Sequence, residues 1–175
     1  MKQGLILGYI AGMLMLAAGT APAADGGLVI EAGTPPNPWT SLDIRNDAGP
    51  VRFAILSDRN GGNRPGIFPD AIAKINLLQP QFVMSIGDFI TGYSEDRSFL
   101  NRDWDEVQAE IAKLEAPFFY TVGNHDIRNA IQAELWKKRF GRTYYHFRYR
   151  DLLFLVICTE DGKEWQIGDS QTAYF

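Results

Sequence analysis

The sequence predicts an α/β fold with parallel strand pairing, on three observations. Short apolar runs alternate with amphipathic segments in the order strand, helix, strand, helix, strand. The chain has 175 residues, 46% hydrophobic, 13% aromatic and 22% charged, which is enough to bury a core and too aromatic for a disordered chain. Each of the first three apolar runs ends in a polar cluster, where open α/β sheets bind their ligands.

The first 23 residues read as a secretory signal peptide. Lys2 gives a positive start, Gly4 to Gly19 is an uncharged apolar run, and Ala21-Pro22-Ala23 offers an A-x-A cleavage site. The run is shorter than the roughly 20 residues a membrane span needs, so a cleaved leader is expected rather than an anchor. The expected location is periplasmic or secreted, with no stable membrane span after cleavage. Residues 24–50 are expected to be an entry segment or linker. Thr34-Pro35-Pro36-Asn37-Pro38 cannot continue a helix or a central strand, and Asn46-Asp47-Ala48-Gly49-Pro50 is turn chemistry.

The domain is expected over residues 51–175. Val51 to Leu56 is a buried strand, followed by a glycine-rich loop around Gly61-Gly62. Phe68, Ala71, Ile72, Ile75 and Leu78 then share one helical face, and Pro69 suits a first turn. Phe82 to Ile86 is a second buried strand. Leu100, Trp104, Val107, Ile111 and Leu114 step by four and three, which predicts a helix over about 97–114 that Pro117 stops. The acidic run from Glu106 to Glu115 is expected to be its solvated face. Phe118 to Val122 is the third strand. Asn129 predicts an N-cap for a helix ending at Phe140, with Gly141 just past its end. Tyr144–Tyr149 and Leu152–Thr159 read as a hairpin across Arg150-Asp151, and a last helix starts near Asp169 or Ser170. Five apolar strands call for helices on both faces, so the expectation is the N-terminal part of a larger domain.

Composition narrows the function. Seventeen Lys and Arg against 21 Asp and Glu leave a charge of −4, which argues against a general nucleic-acid binder. One cysteine excludes an internal disulfide framework and a thiolate-rich zinc site. Cys158 lies in an apolar run and is read as core. Of the two histidines, His146 reads as a strand residue among aromatics, which leaves His125 for chemistry.

The three polar clusters are Ser57-Asp58-Arg59-Asn60, Gly87-Asp88 and Gly123-Asn124-His125-Asp126. They converge if the three strands are neighbours. Two carboxylates, an amide oxygen and an imidazole suit a divalent cation of the Mn, Fe or Zn kind, and a cation would relieve the repulsion between Asp58 and Asp88. Gly87 and Gly123 would allow tight turns. Taken singly, each residue has a structural reading: Asp58 and Asp88 as helix caps, Asn124 as a left-handed turn residue, His125 as a surface histidine. Arg59 and Arg64 are weaker candidates for a substrate clamp, and Asp126 is expected to orient the loop or His125.

In this order, 30 and 36 residues apart, the clusters resemble the calcineurin-like metallophosphoesterases, known by D-x-H, G-D and G-N-H-[DE] motifs after successive strands. Ser57-Asp58-Arg59-Asn60-Gly61-Gly62 resembles a bacterial subgroup with an S-D-R-[NT]-G-G start. The resemblance implies a layered α/β/β/α sandwich with mixed sheets, here incomplete at its C-terminus. It implies two divalent metal ions, with Asp58 on the first, Asp88 bridging and Asn124 on the second through its amide oxygen. His125 would stand by the leaving group. The implied reaction is hydrolysis of a phosphate monoester or diester by a metal-bound hydroxide, on a phosphorylated small molecule or ester. Three departures stand out. Asn60 replaces the first motif's histidine and is a weaker metal ligand, while Thr91 stands where some relatives place an acid or tyrosine. No later His motif follows Asp126. The competing expectation is therefore a non-catalytic descendant of the fold, serving as a binding or structural module. A nucleotide-binding role for the Gly61-Gly62 loop is weaker, since the loop matches neither G-x-G-x-x-G nor a P-loop.

Overall fold

Among the described residues the chain runs β1 (Met13–Ala17), β2 (Leu28–Ile30), β3 (Phe53–Ile55), α1 (Ile67–Leu78), β4 (Phe82–Met84), α2 (Arg97–Ile111), β5 (Phe118–Phe119), α3 (Ala130–Phe140), β6 (Tyr145–Tyr149), β7 (Leu152–Val156) and α4 (Asp169–Tyr174). The structure, a computed structural model, describes residues 13–17 (backbone), 26–60, 64–161 and 166–175. The rest of the expected leader, its cleavage site included, and the Gly61-Gly62 loop lie outside the described residues.

Two sheets form. β3, β4 and β5 are adjacent and parallel, with Ala54 opposite Val83 and Val83 opposite Phe118. The second sheet is antiparallel in the order β1-β7-β6-β2. β6 and β7 make the predicted hairpin, and the backbone of residues 13–17 pairs along the other edge of β7.

Period-two alternation sorts the strand residues between two cores. Val83 and Phe118 pack toward the helices, while Phe82, Met84 and Phe119 pack toward the antiparallel sheet. That sheet answers with Tyr145, Phe147 and Tyr149 from β6 and Phe154 and Val156 from β7. Phe82 is the centre. Its ring meets those of Phe119, Phe147, Tyr149 and Phe154 edge-on at 5.4–5.7 Å and stacks on Phe53 at 5.3 Å. On the helix side, α2 buries Leu100, Trp104, Val107 and Ile111, the stripe its spacing predicts. Trp104 packs against Trp136 and Phe140 of α3, and α1 adds Phe68, Ile72 and Ile75. The layers are thus helices, parallel sheet and antiparallel sheet. On the outer face of the last, Tyr174 of α4 lies 5.4 Å from His146.

The caps follow the sequence. Asp96 accepts from the N–H groups of Ser98 and Phe99 at the start of α2, Asn129 accepts from that of Gln132 at the start of α3, and Gly141 closes α3 at a φ of 74°. The strands are shorter than the apolar runs, and α2 ends at Ile111 rather than near Leu114. The entry segment does more than lead in. Its residues 28–30 form β2 against β6, and around Trp39 it makes a single bridge to Phe119. There the Thr40 N–H donates to Phe118 O at 2.9 Å and the Tyr120 N–H to Pro38 O at 2.8 Å. Pro38, with no N–H, fits an edge contact of this kind.

Candidate functional site

All three polar clusters emerge at the carboxyl ends of β3, β4 and β5, and parallel adjacency brings them to one edge. Hydrogen bonds join the first two: the Asp58 N–H donates to Gly87 O at 3.2 Å, the Asn60 N–H to Asp88 O at 3.3 Å and the Ser57 hydroxyl to Gly87 O at 2.8 Å. Asp58 and Asp88 both adopt left-handed backbone, at φ 52° and 62°. Aspartate tolerates this region better than most residues, and such strain gathers at functional sites.

Asp126 ties the second cluster to the third. It is fully buried. One carboxylate oxygen accepts from the N–H groups of Asp88 and Gly123, at 2.9 Å each, and the other from those of Phe89 at 3.0 Å and Ile90 at 3.4 Å. Burial pushes this carboxyl up to about 7, against the pull of its N–H donors and with the Asp88 charge adding to the rise. The two glycines then interlock. A Cβ on Gly87, whose φ is 94°, would stand 2.4 Å from Gly123 N, and one on Gly123 would stand 2.2 Å from Asp88 Oδ1. Gly87 serves the turn, as its sequence context predicts. Gly123 has no left-handed backbone, and what requires glycine there is close approach.

His125 is held from every side. Its N–H donates to Asp88 Oδ1 at 3.1 Å, and its carbonyl accepts from Nε2 of the buried Gln132 at 2.5 Å. Nδ1 lies 2.9 Å from Thr91 O and 2.6 Å from Asn60 Nδ2. These are alternatives: a protonated Nδ1 donates to the carbonyl, whereas a bare one accepts from the amide. Either way Nδ1 is engaged and Nε2 is the ring atom left for a ligand. Asn60 Nδ2 also lies 3.2 Å from Thr91 O, so its amide nitrogen steers His125 and only its oxygen remains for a cation. Asn124 Nδ2 donates to the hydroxyl of Tyr93 at 2.7 Å, and the Tyr93 ring meets the imidazole edge-on at 4.7 Å. Tyr93 belongs to none of the motifs. Its sole sequence cue is the preceding Gly92.

Arg59 is no substrate clamp. Its guanidinium donates to Asp103 Oδ1 at 2.7 Å, Glu106 Oε2 at 3.0 Å and Phe89 O at 3.3 Å, and its side chain is only 12% exposed. Burial and three acceptors commit it to fastening α2 to the loops. Glu106 therefore belongs to this fastening as well as to the acidic face of α2. Arg64 is exposed. Cys158 is buried just beyond β7, its thiol pushed up to about 12 by burial, which agrees with a core role.

Among the described residues, no three His, Cys, Asp or Glu side chains are grouped to hold a metal ion. The three loops do gather two carboxylates, Asp58 and Asp88, with the amides of Asn60 and Asn124. Asp58 is exposed, and among the described residues neither its carboxylate nor Asp88 Oδ2 makes a hydrogen bond. Uncommitted hard oxygen donors of this kind fit a divalent cation. The set is a partial shell, since a catalytic zinc takes three protein ligands and only two charged ones stand here.

A family model described as calcineurin-like phosphoesterase matches residues 51–170. Neither a curated protein nor a solved structure matches the chain.

Proposed function

The chain belongs to the calcineurin-like phosphoesterases, and from that premise we propose that it is a metal-dependent hydrolase of phosphate esters. The observation that carries this reading is the fastening of the Gly87-Asp88 loop to the Gly123–Asp126 loop through Asp126, with Asp58 beside them and, among the described residues, the Asp58 carboxylate and Asp88 Oδ2 left without hydrogen bonds. Asp58, Asp88 and Asn124 would hold two divalent ions of the Mn, Fe or Zn class, with the Asn60 oxygen as a weaker donor. When bound, such ions supply Lewis-acid charge that polarises a phosphoryl group and acidifies water. The protein's own residues do the rest. Asp88 Oδ1, pinned by the His125 N–H, fixes the orientation of that carboxylate. With Nδ1–H held on Thr91 O, a proton on Nε2 of His125 can pass to the leaving oxygen, which is general-acid work. The substrate is a phosphorylated small molecule or ester, monoester or diester. The leader-like residues 1–23 support a periplasmic or secreted location, and Ser57–Gly62 supports the bacterial subgroup.

Asp88→Ala is expected to abolish metal-dependent hydrolysis of an aryl phosphate while the far-ultraviolet circular dichroism stays unchanged. Retained hydrolysis would sink the proposal. The partial donor set motivates a second reading, a non-catalytic member of the family acting as a binding module. It requires the purified protein to carry no stoichiometric metal by elemental analysis, and two ions per chain reject it.

A further inference from the structure

Resting on the phosphoesterase reading, we propose that Tyr93 is a positioning residue of the hydrolytic site, holding Asn124 and His125 in the orientations the chemistry uses. Three contacts converge on this side chain. Its hydroxyl accepts from Asn124 Nδ2 at 2.7 Å, its ring meets the His125 imidazole edge-on at 4.7 Å, and the Arg128 guanidinium stands 5.4 Å from its ring centre. The first decides function. An asparagine side chain has one donor end and one acceptor end, and occupying the donor end leaves Oδ1 as the end that can serve a cation. Without Tyr93 the amide loses this partner and is free to turn over, presenting N–H groups where a cation would need an oxygen.

The backbone shows that this placement is built. Gly92 and Tyr93 are consecutive left-handed residues, at φ 62° and 52°. A Cβ on Gly92 would stand 1.9 Å from His125 O, so the turn carrying Tyr93 lies directly on the histidine backbone. A bulky residue at positive φ is strained and persists only where its surroundings impose it. They do so here. Thr91, two residues before, is fixed by its N–H donating to Asp103 Oδ2 at 2.7 Å, and Asn129 Nδ2 donates to Ser94 O, one residue after, at 2.9 Å. Yet the residue so held is 54% exposed, and core packing does not explain it.

The test is Tyr93→Phe, which keeps the ring and loses the hydroxyl. In the metal-free protein, the side-chain NH2 resonances of Asn124 are expected to shift toward those of a solvated amide. Calorimetric titration with Mn²⁺ is expected to show affinity falling about tenfold, the usual scale for losing a partner that orients a ligand. On an aryl phosphate, kcat should fall with KM little changed. An unmoved Asn124 amide, or wild-type Mn²⁺ affinity in Tyr93→Phe, overturns the proposal. If the wild-type protein itself neither takes up Mn²⁺ nor hydrolyses the ester, the phosphoesterase reading falls and this inference with it, a result told apart because the silence is in the wild type and not in the variant.

Discussion

At the scale of single residues, the site depends on one buried carboxylate more than on its neighbours. Asp126 receives four backbone N–H groups drawn from two loops, and buried donors left without acceptors are costly. Asp126→Asn replaces one accepting oxygen by an NH2 that faces N–H groups. It is expected to lower stability by about 2–3 kcal/mol, read as a shift of the urea midpoint with an unchanged slope. The residues of the three motifs were legible in the sequence because their order and spacing are themselves the pattern. Asp126 was legible in kind, as a loop-orienting group, though its four partners depend on how two loops meet. Tyr93 was not legible. Its contacts to Asn124 and His125 arise from a left-handed turn, and no periodicity encodes such a turn.

At the scale of elements, α2 works as a clamp on the loops as well as a core helix. Its buried Asp103 takes Arg59 from the loop after β3 on one oxygen and the Thr91 N–H from the loop after β4 on the other. Thr91 O then meets His125, so a helix residue reaches the imidazole through one intermediary. Arg59→Ala strands the Asp103 charge in a buried place and is expected to destabilise by about 3 kcal/mol, measured by thermal or urea unfolding. The same variant should loosen His125, read as a lower kcat on an aryl phosphate. The apolar stripe of α2 was plain in the sequence. Asp103 interrupts that stripe, and its meaning appears only once Arg59 is placed beside it. β2 escaped sequence reading for another reason: three residues are too few to show alternation, and its pairing partner lies more than a hundred positions away.

At the scale of the whole molecule, two sheets with separate faces divide the labour. One face of the parallel sheet packs on helices, the other on the aromatic layer around Phe82, and the loops of the candidate site stand at its carboxyl edge. The order of elements was readable because the strands run apolar and the helices carry apolar stripes. The division into two sheets came from family resemblance rather than from the residues, since hairpin and parallel strands look alike as apolar runs. The carboxylate knot carries a consequence for dynamics. The amides of Asp88, Phe89, Ile90 and Gly123 belong to loops by position and to the interior by partnership. In deuterium they should exchange as one cooperative unit with the amides of β4, opening only when the sandwich opens, while the amides of the exposed residues 46–49 exchange at once. A site whose loops breathe only with the global unfolding event would meet each substrate already shaped for it.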